Sequence, residues 1–177
     1  PLLEPHCARG LRLYLEPGRT IVGNAGILLT RVLYMKASGD KRFAICDAGM
    51  QTLLRPSHYE AFHFIWPAAP APGFVPASRE RESNMPGLSP CDVVGPICET
   101  GDFLALGRPL VPVPPGALLA VLGAGAYAFV MSSNYNSRAR AAEVLVDDGR
   151  WAVIRPRERL VDLFRDEVAD PFTDGEA

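Results

Sequence analysis

The sequence has few of the residues that commonly mark a metal centre or a disulfide framework. Its four cysteines form no CxxC pair, and no histidine stands at metal-ligand spacing from them. Neither a zinc site nor a dense disulfide scaffold is indicated, so we expect no metal site and a reduced, cytoplasmic chain. We interpret each histidine as an ordinary surface or core residue. The residues concerned are Cys7, Cys46, Cys91, Cys98, His6, His58 and His63.

The sequence also lacks an excess of charge of either sign. Eighteen basic and 20 acidic side chains give a formal net charge of −2, and no basic stripe stands out. The phosphate backbone of a nucleic acid therefore has little to attract it, and we expect no nucleic-acid partner. Lysine is especially scarce, since Lys36 and Lys41 are the only two and the other basic residues are arginines.

No uninterrupted apolar run is long enough for a membrane span. The stretch 109–137 carries no charged residue, but four prolines fall within 109–116, and Gly123 and Gly125 interrupt the remainder. A transmembrane helix needs about 18 or more predominantly apolar residues. We therefore expect no membrane-spanning segment and no membrane partner.

Glycine and proline, by contrast, are abundant, with 16 and 17 copies among 177 residues. This composition predicts many turns and short strands. Turn chemistry predicts two hairpins, and short apolar runs predict further strands. The predicted elements are hairpins 27–37/42–47 and 144–146/151–154, strands 91–97 and 118–122, a proline-rich loop 67–90, and a short amphipathic helix with Leu160, Leu163 and Phe164 on one face.

The first 26 residues have a different pattern. A helix is predicted over 2–9, closed by Gly10 and followed by an apolar strand over 11–15. A lone parallel strand cannot bury both faces, so we expect this piece to belong to a parallel sheet whose other strands lie outside the chain. The sequence thus divides into an α/β remnant, 1–26, and a mainly β domain with a closed or nearly closed sheet, 27–177.

The turn Glu16-Pro17-Gly18-Arg19 follows the predicted strand 11–15, at the end where α/β sheets place ligand groups. It holds one anionic and one cationic side chain near each other. Taken alone, the motif favours a β-turn with a surface ion pair. The glycines of 23–26 are by themselves a weak indication of a phosphate site.

Arg55-Pro56-Ser57-His58-Tyr59 predicts the start of a helix, because Pro56 excludes helical geometry at Arg55 and suits the first helical position. Tyr59 then points back toward Arg55 after about one turn, and guanidinium and phenol can bind one carboxylate together. A helix start with a solvated arginine is the alternative.

Two further segments carry chemically useful groups. The loop 93–102 places a thiol, Cys98, beside the carboxylates of Glu99 and Asp102. The segment 123–136 combines small residues with two tyrosines, which permits close approach of a flat ligand or a second chain. From spacing alone, a structural cysteine beside surface acids and ordinary core packing are the favoured interpretations.

In order along the chain, four blocks resemble the C-terminal part of the diaminopimelate decarboxylases, pyridoxal-phosphate enzymes of the alanine racemase-like fold. The blocks are EPGRTIVGNAG, DAGMQTLLRPSHYEAFH, VVGPICETGDFLA and GAGAYAFVMSSNYNSRARAAEVLV. The resemblance implies an N-terminal TIM barrel, which carries the cofactor lysine, and a C-terminal β-barrel. It assigns 1–26 to the end of the TIM barrel and 27–177 to the β-barrel domain.

The resemblance also implies site residues. Glu16, Gly18, Arg19 and Tyr127 would bind the cofactor, and Cys98 would donate the proton that replaces CO₂. The substrate would be bound by Arg19, Arg55, Tyr59, Glu99 and Tyr127. Cys98 and Glu99 would enter the site of the other subunit, so the working unit would be a homodimer.

The implied activity is conversion of meso-diaminopimelate to L-lysine and CO₂. One alternative is a decarboxylase of ornithine or arginine, although these substrates lack the distal carboxylate that Arg55 and Tyr59 would bind. Another is a non-catalytic β domain that acts in dimerisation or protein binding. Neither Lys36 nor Lys41 lies in the context of the family's cofactor lysine, so we expect the 177 residues alone to be inactive.

Overall fold

In a computed structural model, residues 2–81, 83, 85–170 and 172 are described. These residues form eight strands, two short helices and four 3-10 turns. The strands are β1 Ile27–Ser38, β2 Lys41–Cys46, β3 Ile65–Pro67, β4 Ser89–Val94, β5 Phe103–Leu110, β6 Leu118–Leu122, β7 Glu143–Asp147 and β8 Arg150–Arg155. The helices are α1 Glu4–Ala8 and α2 Arg55–Tyr59, and the 3-10 turns are Gly23–Ala25, Phe129–Met131, Tyr135–Ser137 and Leu160–Leu163.

Six strands form one curled sheet, in the order β3-β6-β1-β2-β4-β5. The pairs are antiparallel except β2 with β4, which is parallel. Strands β7 and β8 form a separate antiparallel hairpin. The mainly β class, both predicted hairpins and the strand 118–122 are confirmed.

The core lies on the concave side of the curled sheet, where apolar side chains from most of its strands meet. On β1, Thr30 and Val32 are buried while Leu29 and Leu33 are exposed, which is the alternation of a strand with one face covered. The largest fully buried apolar side chains are Leu53, Ile65, Leu104, Leu110, Leu119, Val32, Val93 and Val121. Fully burying a side chain of this size contributes about 1.5–3 kcal/mol, so this layer holds the sheet in its curl.

Side chains span the gap between β5 and β3, the two edge strands of the curled sheet. A guanidinium nitrogen of buried Arg108 donates to the backbone carbonyl of His63, 3.1 Å away, and the group lies 4.2 Å from the Phe62 ring centroid. Burial, together with the nearby charge of Arg81, lowers the pKa of Arg108 to about 10, so the side chain stays cationic at neutral pH. The six-stranded sheet of the described residues is open, because its two edge strands, β3 and β5, are not hydrogen-bonded to each other. The Arg108 side chain connects the two edges through the His63 carbonyl.

Several predicted elements differ in the structure. The helix predicted over 2–9 is shortened to α1, with Gly10 at φ +82° after its end, as expected for a C-terminal glycine. The strand predicted over 11–15 forms no strand hydrogen bonds with the described residues, and its leucines are exposed. Since its neighbours are expected outside this chain, the strand stays a prediction. The boundary between 26 and 27 stays a prediction.

Three further elements depart from the sequence prediction. The short helix predicted near Leu160 is present as the 3-10 helix Leu160–Leu163, but its predicted amphipathic packing is absent, since Leu160 and Phe164 are exposed. The strand predicted over 91–97 is displaced to β4, which begins and ends earlier. Strands β3 and β5 were not predicted because each contains a proline, which weakens the strand signal.

The proline-rich loop is confirmed, since the described residues between β3 and β4 form no helix or strand. Buried Trp66 donates its indole N–H to the carbonyl oxygen of Phe74 at 2.8 Å, which ties this loop to the sheet.

The glycines within 23–26 and 123–125 allow these two backbone segments to contact each other. The Ala124 amide donates to the Gly26 carbonyl at 2.9 Å, and the Gly125 amide donates to the Gly23 carbonyl at 3.1 Å. A Cβ at Gly125 would lie 2.8 Å from the Gly26 nitrogen and nearer still to the Val22 carbonyl. Because Gly26 and Gly125 have no Cβ, the backbone before β1 can lie against the backbone after β6.

Gly125→Ala tests this contact. The added methyl group would force the two backbones apart, so we expect the free energy of unfolding to fall by about 1–3 kcal/mol. Gly101→Ala is the matched control, because a Cβ there would meet nothing closer than 3.8 Å and the position has no positive φ. The measurement is urea denaturation of the chain, and equal losses in the two variants would contradict the account.

His63 is a buried histidine just before β3, with 5% of its surface exposed. Its Nδ1 lies 2.9 Å from the Leu122 carbonyl, and the buried Nε2 has no partner among the described residues. Burial lowers the pKa of His63 below its ordinary 6.5, and the charges of Arg55, Arg19 and Arg108 act in the same direction, against the Leu122 hydrogen bond. The imidazole is therefore neutral in the folded chain at neutral pH.

This neutral histidine predicts a pH-dependent stability. As the pH falls through 6.5, the unfolded chain takes up a proton that the folded chain does not, so stability falls by up to about 1.4 kcal/mol per pH unit. We expect urea midpoints at pH 7.5 and 5.5 to differ less in His63→Asn, which keeps an N–H donor near the Nδ1 position, than in the unsubstituted chain. The control is His6→Asn, at an exposed position. An unchanged pH dependence in His63→Asn would contradict the assignment.

Candidate functional site

The turn containing Glu16, Gly18 and Arg19 lies against Tyr127. A Cβ at Gly18 would stand 3.1 Å from the Tyr127 hydroxyl oxygen, so glycine at this position leaves room for the phenol. Tyr127 has φ +59°, a backbone conformation that is uncommon for a residue with a side chain and one often found where function fixes a group. Glu16 and Arg19 are exposed and form no ion pair with each other in the described part of the chain, so the surface ion pair expected for the isolated motif is absent there.

Helix α2 places Arg55 between two phenol rings. Its guanidinium carbon lies 5.6 Å from the Tyr59 ring centroid and 5.8 Å from that of Tyr127. The helix start at Pro56 and a Tyr59 ring near Arg55 agree with the prediction, but Arg55 does not lie outside the helix: α2 begins at Arg55, and Pro56 is its second residue. The buried Nε of Arg55 has no hydrogen-bond partner among the described residues. We call Gly18, Arg55, Tyr59 and Tyr127 the arginine–tyrosine cluster.

A second group of site residues lies on the loop that joins β4 to β5. Cys98 and Glu99 are both exposed on this loop. Glu99 accepts hydrogen bonds from the Gly101 amide at 3.1 Å and from the Tyr135 hydroxyl at 3.0 Å. The Gly101 amide and then Tyr135 hold the pKa of Glu99 below its ordinary 4.5. Glu99 is therefore an anion at neutral pH, and we call Cys98, Glu99 and Tyr135 the thiol–carboxylate loop.

Tyr135 and His63 are the residues near the two groups whose roles the sequence did not indicate. The Glu99 hydrogen bond raises the pKa of Tyr135, so its hydroxyl stays protonated and continues to donate. The small-residue segment 123–136 marked Tyr135 as a candidate, but the sequence did not indicate that it bonds to Glu99. Nothing in the sequence indicated a role for His63, because its burial beside arginines depends on the folding of distant segments.

The two groups offer complementary chemistry. The arginine–tyrosine cluster presents a cation and phenols, which suit a carboxylate or phosphate. The thiol–carboxylate loop presents a thiol, which can donate a proton, and an anion, which can bind an ammonium group. No hydrogen bond or ion pair of the described residues joins the two groups within one chain.

The other candidate features concern metals, membranes and thiols. Over the described ranges, no three histidine, cysteine, aspartate or glutamate side chains come together as a metal site. Within the same part of the molecule, no helix has the length and apolarity to cross a membrane. All four cysteines are free, with Cys46 and Cys91 buried and Cys7 and Cys98 exposed.

Residues 20–125 match the family described as "Pyridoxal-dependent decarboxylase, C-terminal sheet domain". The chain is 50% identical over 163 residues to the diaminopimelate decarboxylase of Aquifex aeolicus, covering 92% of this chain and 34% of that protein. A similar match, at 52% identity, covers 92% of this chain and 36% of the diaminopimelate decarboxylase of Pseudomonas fluorescens. The chain thus spans about a third of the length of the curated relatives it matches.

The fold is similar to a solved structure, that of diaminopimelate decarboxylase from Helicobacter pylori complexed with L-lysine. The TM-score is 0.76 at 42% sequence identity, over 91% of this chain and 37% of that one. This agreement of sequence and fold confirms the family inferred from the four sequence blocks. The chain belongs to the pyridoxal-dependent decarboxylase family and contains that family's C-terminal sheet domain.

Proposed function

We propose that the chain is the C-terminal part of a diaminopimelate decarboxylase, which converts meso-diaminopimelate to L-lysine and CO₂. The observation that carries the proposal is Arg55, held within 6 Å of two tyrosine rings and with a buried Nε that lacks a partner in the described chain. Such a group suits a carboxylate at the end of the substrate that does not react. Diaminopimelate has that second carboxylate, whereas ornithine and arginine do not.

The proposed cofactor is pyridoxal phosphate, held by Glu16, Gly18, Arg19 and Tyr127. These residues fit the group, because the glycine gives the Tyr127 hydroxyl close access to the turn and the turn carries an exposed carboxylate and an exposed guanidinium. Glu16 would keep the pyridine nitrogen protonated, and Gly18 and Arg19 would lie by the phosphate. When bound, pyridoxal phosphate supplies the electron sink that the loss of CO₂ requires.

The proposed substrate contacts use both groups of residues. Arg19, Arg55 and Tyr59 would bind the carboxylate that is retained, and Tyr127 would contact substrate as well as cofactor. Glu99, which is anionic at neutral pH, would bind the distal ammonium group. Cys98 would donate its proton to the carbon that loses CO₂, and it would then recover a proton from solvent.

Cys98 and Glu99 would act in the site of the other subunit of a homodimer. Their exposure on a loop supports this part of the proposal, and no hydrogen bond or ion pair joins them to the arginine–tyrosine cluster within the described chain. Four free thiols fit the proposed cytoplasmic location. Lys36 and Lys41 lie beside the turn of the β1–β2 hairpin, and we propose that neither is the cofactor lysine.

The substrate specificity of the full-length protein tests this function. We expect CO₂ release from meso-diaminopimelate with a kcat/KM at least about a hundredfold above that for ornithine or arginine, because a site built to bind a second carboxylate loses that interaction with ligands that lack it. The measurement is CO₂ release from each amino acid in the presence of pyridoxal phosphate. A preference for ornithine or arginine would contradict the proposal, and no turnover of any substrate would favour a non-catalytic β domain.

Cys98→Ala is the matched variant for this assay. It keeps the carboxylate-binding residues and removes the proton donor, so kcat for diaminopimelate should fall by about a hundredfold or more while KM changes little. Cys7→Ala is the control, since Cys7 is also an exposed free thiol. Equal turnover by the two variants would remove Cys98 from its proposed role.

A further inference from the structure

Asp102 lies at the base of the loop that carries Cys98 and Glu99. Only 5% of its surface is exposed, and both of its carboxylate oxygens accept backbone hydrogen bonds. One oxygen accepts from the Met50 amide at 2.8 Å, and the other accepts from the Ile97 amide at 2.8 Å. The carboxylate therefore joins the residue next to Cys98 to a different segment of the chain.

The backbone of Asp102 closes the same loop. The Gly95 amide donates to the Asp102 carbonyl at 3.0 Å, and the Asp102 amide donates to the Glu99 carbonyl at 3.0 Å. The two ends of the loop and the residues beside the thiol are thus all bonded to this one residue.

Two glycines make room for the Asp102 carboxylate. A Cβ at either Gly49 or Gly95 would overlap a carboxylate oxygen of Asp102, and a Cβ at Gly49 would also lie 2.8 Å from the Gly95 Cα. No cation forms an ion pair with Asp102 in the described part of the chain. Burying a carboxylate without a cation is costly unless hydrogen bonds satisfy it, and here two backbone amides do so.

We propose that Asp102 is a positioning residue that holds the thiol–carboxylate loop in its working arrangement. Its carboxylate fixes Ile97 against Met50, and this fixes the backbone from which Cys98 and Glu99 project. The inference rests on the proposed function, because it assigns Asp102 a role through the residues proposed to donate the proton and to bind the substrate amine.

The substitution Asp102→Asn replaces one carboxylate oxygen, a hydrogen-bond acceptor, with an NH₂ group, a donor. An asparagine offers one carbonyl oxygen and one NH₂ group, so one of the two backbone amides would face a donor instead of an acceptor. A carboxylate elsewhere on the sheet provides a matched control: Asp92, in β4, accepts from the Gly107 amide at 2.6 Å. Asp92→Asn removes the same charge without touching the loop.

Hydrogen exchange of the full chain tests the positioning role independently of activity. In the unsubstituted chain, the Ile97 and Met50 amides should exchange at least tenfold more slowly than the Cys98 amide, which has no hydrogen-bond partner in the described structure. In Asp102→Asn, exchange at one of the two amides, that of Ile97 or that of Met50, should accelerate at least tenfold. In Asp92→Asn, the asparagine carbonyl oxygen can still accept from the Gly107 amide, and exchange at the Ile97 and Met50 amides should stay unchanged.

Kinetics of the full-length enzyme test whether Asp102 acts through Cys98. Asp102→Asn should lower kcat at least tenfold when Cys98 is present, and less than twofold when Cys98→Ala is already in place. It should also raise KM, because the same loop carries Glu99. Asp92→Asn should leave both constants within twofold.

The outcomes separate this inference from the proposed function. Unprotected Ile97 and Met50 amides in the unsubstituted chain would overturn the positioning role, even if Asp102→Asn does not fold. Equal kcat losses with and without Cys98 would overturn it as well. Decarboxylation with unchanged exchange at both the Ile97 and the Met50 amides in Asp102→Asn would overturn the positioning role and leave the function standing, whereas slow exchange at these amides in a protein without decarboxylase activity would refute the function alone.

Discussion

The backbone of residues 22–26 lies against that of 123–125 because Gly26 and Gly125 carry no side chain at the contact. This approach brings the turn before β1 beside the segment after β6, although about a hundred residues separate them in sequence. Tyr127 follows directly and meets Gly18, and it also stands within cation–π distance of Arg55. The arginine–tyrosine cluster therefore depends on a backbone contact made by glycines, which have no functional side chain.

The thiol–carboxylate loop is held in place by different interactions. Its groups are exposed, and the loop is fixed by a buried carboxylate on two backbone amides together with a glycine at each approach. Tyr135 adds a hydrogen bond to Glu99 from a third segment of the chain. The arginine–tyrosine cluster thus suits a carboxylate, and the thiol–carboxylate loop suits an amine and a proton transfer. In the proposed homodimer, the cluster of one subunit and the loop of the other would act on one substrate molecule.

Local signals in the sequence were sufficient for some elements and insufficient for others. Turn residues predicted both hairpins, and Pro56 predicted the helix that carries Arg55 and Tyr59, because these signals act over a few residues. The strand predicted over 11–15 stays a prediction, because the parallel strands expected to pair with it lie outside this chain. The burial of His63 and the Tyr135–Glu99 hydrogen bond were inaccessible, since both arise where distant segments meet. The family blocks supplied the site residues, and the structure shows which of them are neighbours.

We propose that one working site of a homodimer combines Arg55 of one subunit with Cys98 of the other. Subunit exchange between full-length enzymes that carry Arg55→Ala and Cys98→Ala tests it most directly. Random exchange makes half of the dimers mixed, and each mixed dimer has one site with both substitutions and one with neither, so about a quarter of all sites are intact. We therefore expect the exchanged mixture to recover about a quarter of the activity of the unsubstituted enzyme, compared at the same total number of sites. Activity that stays at the mean of the two single variants would contradict it.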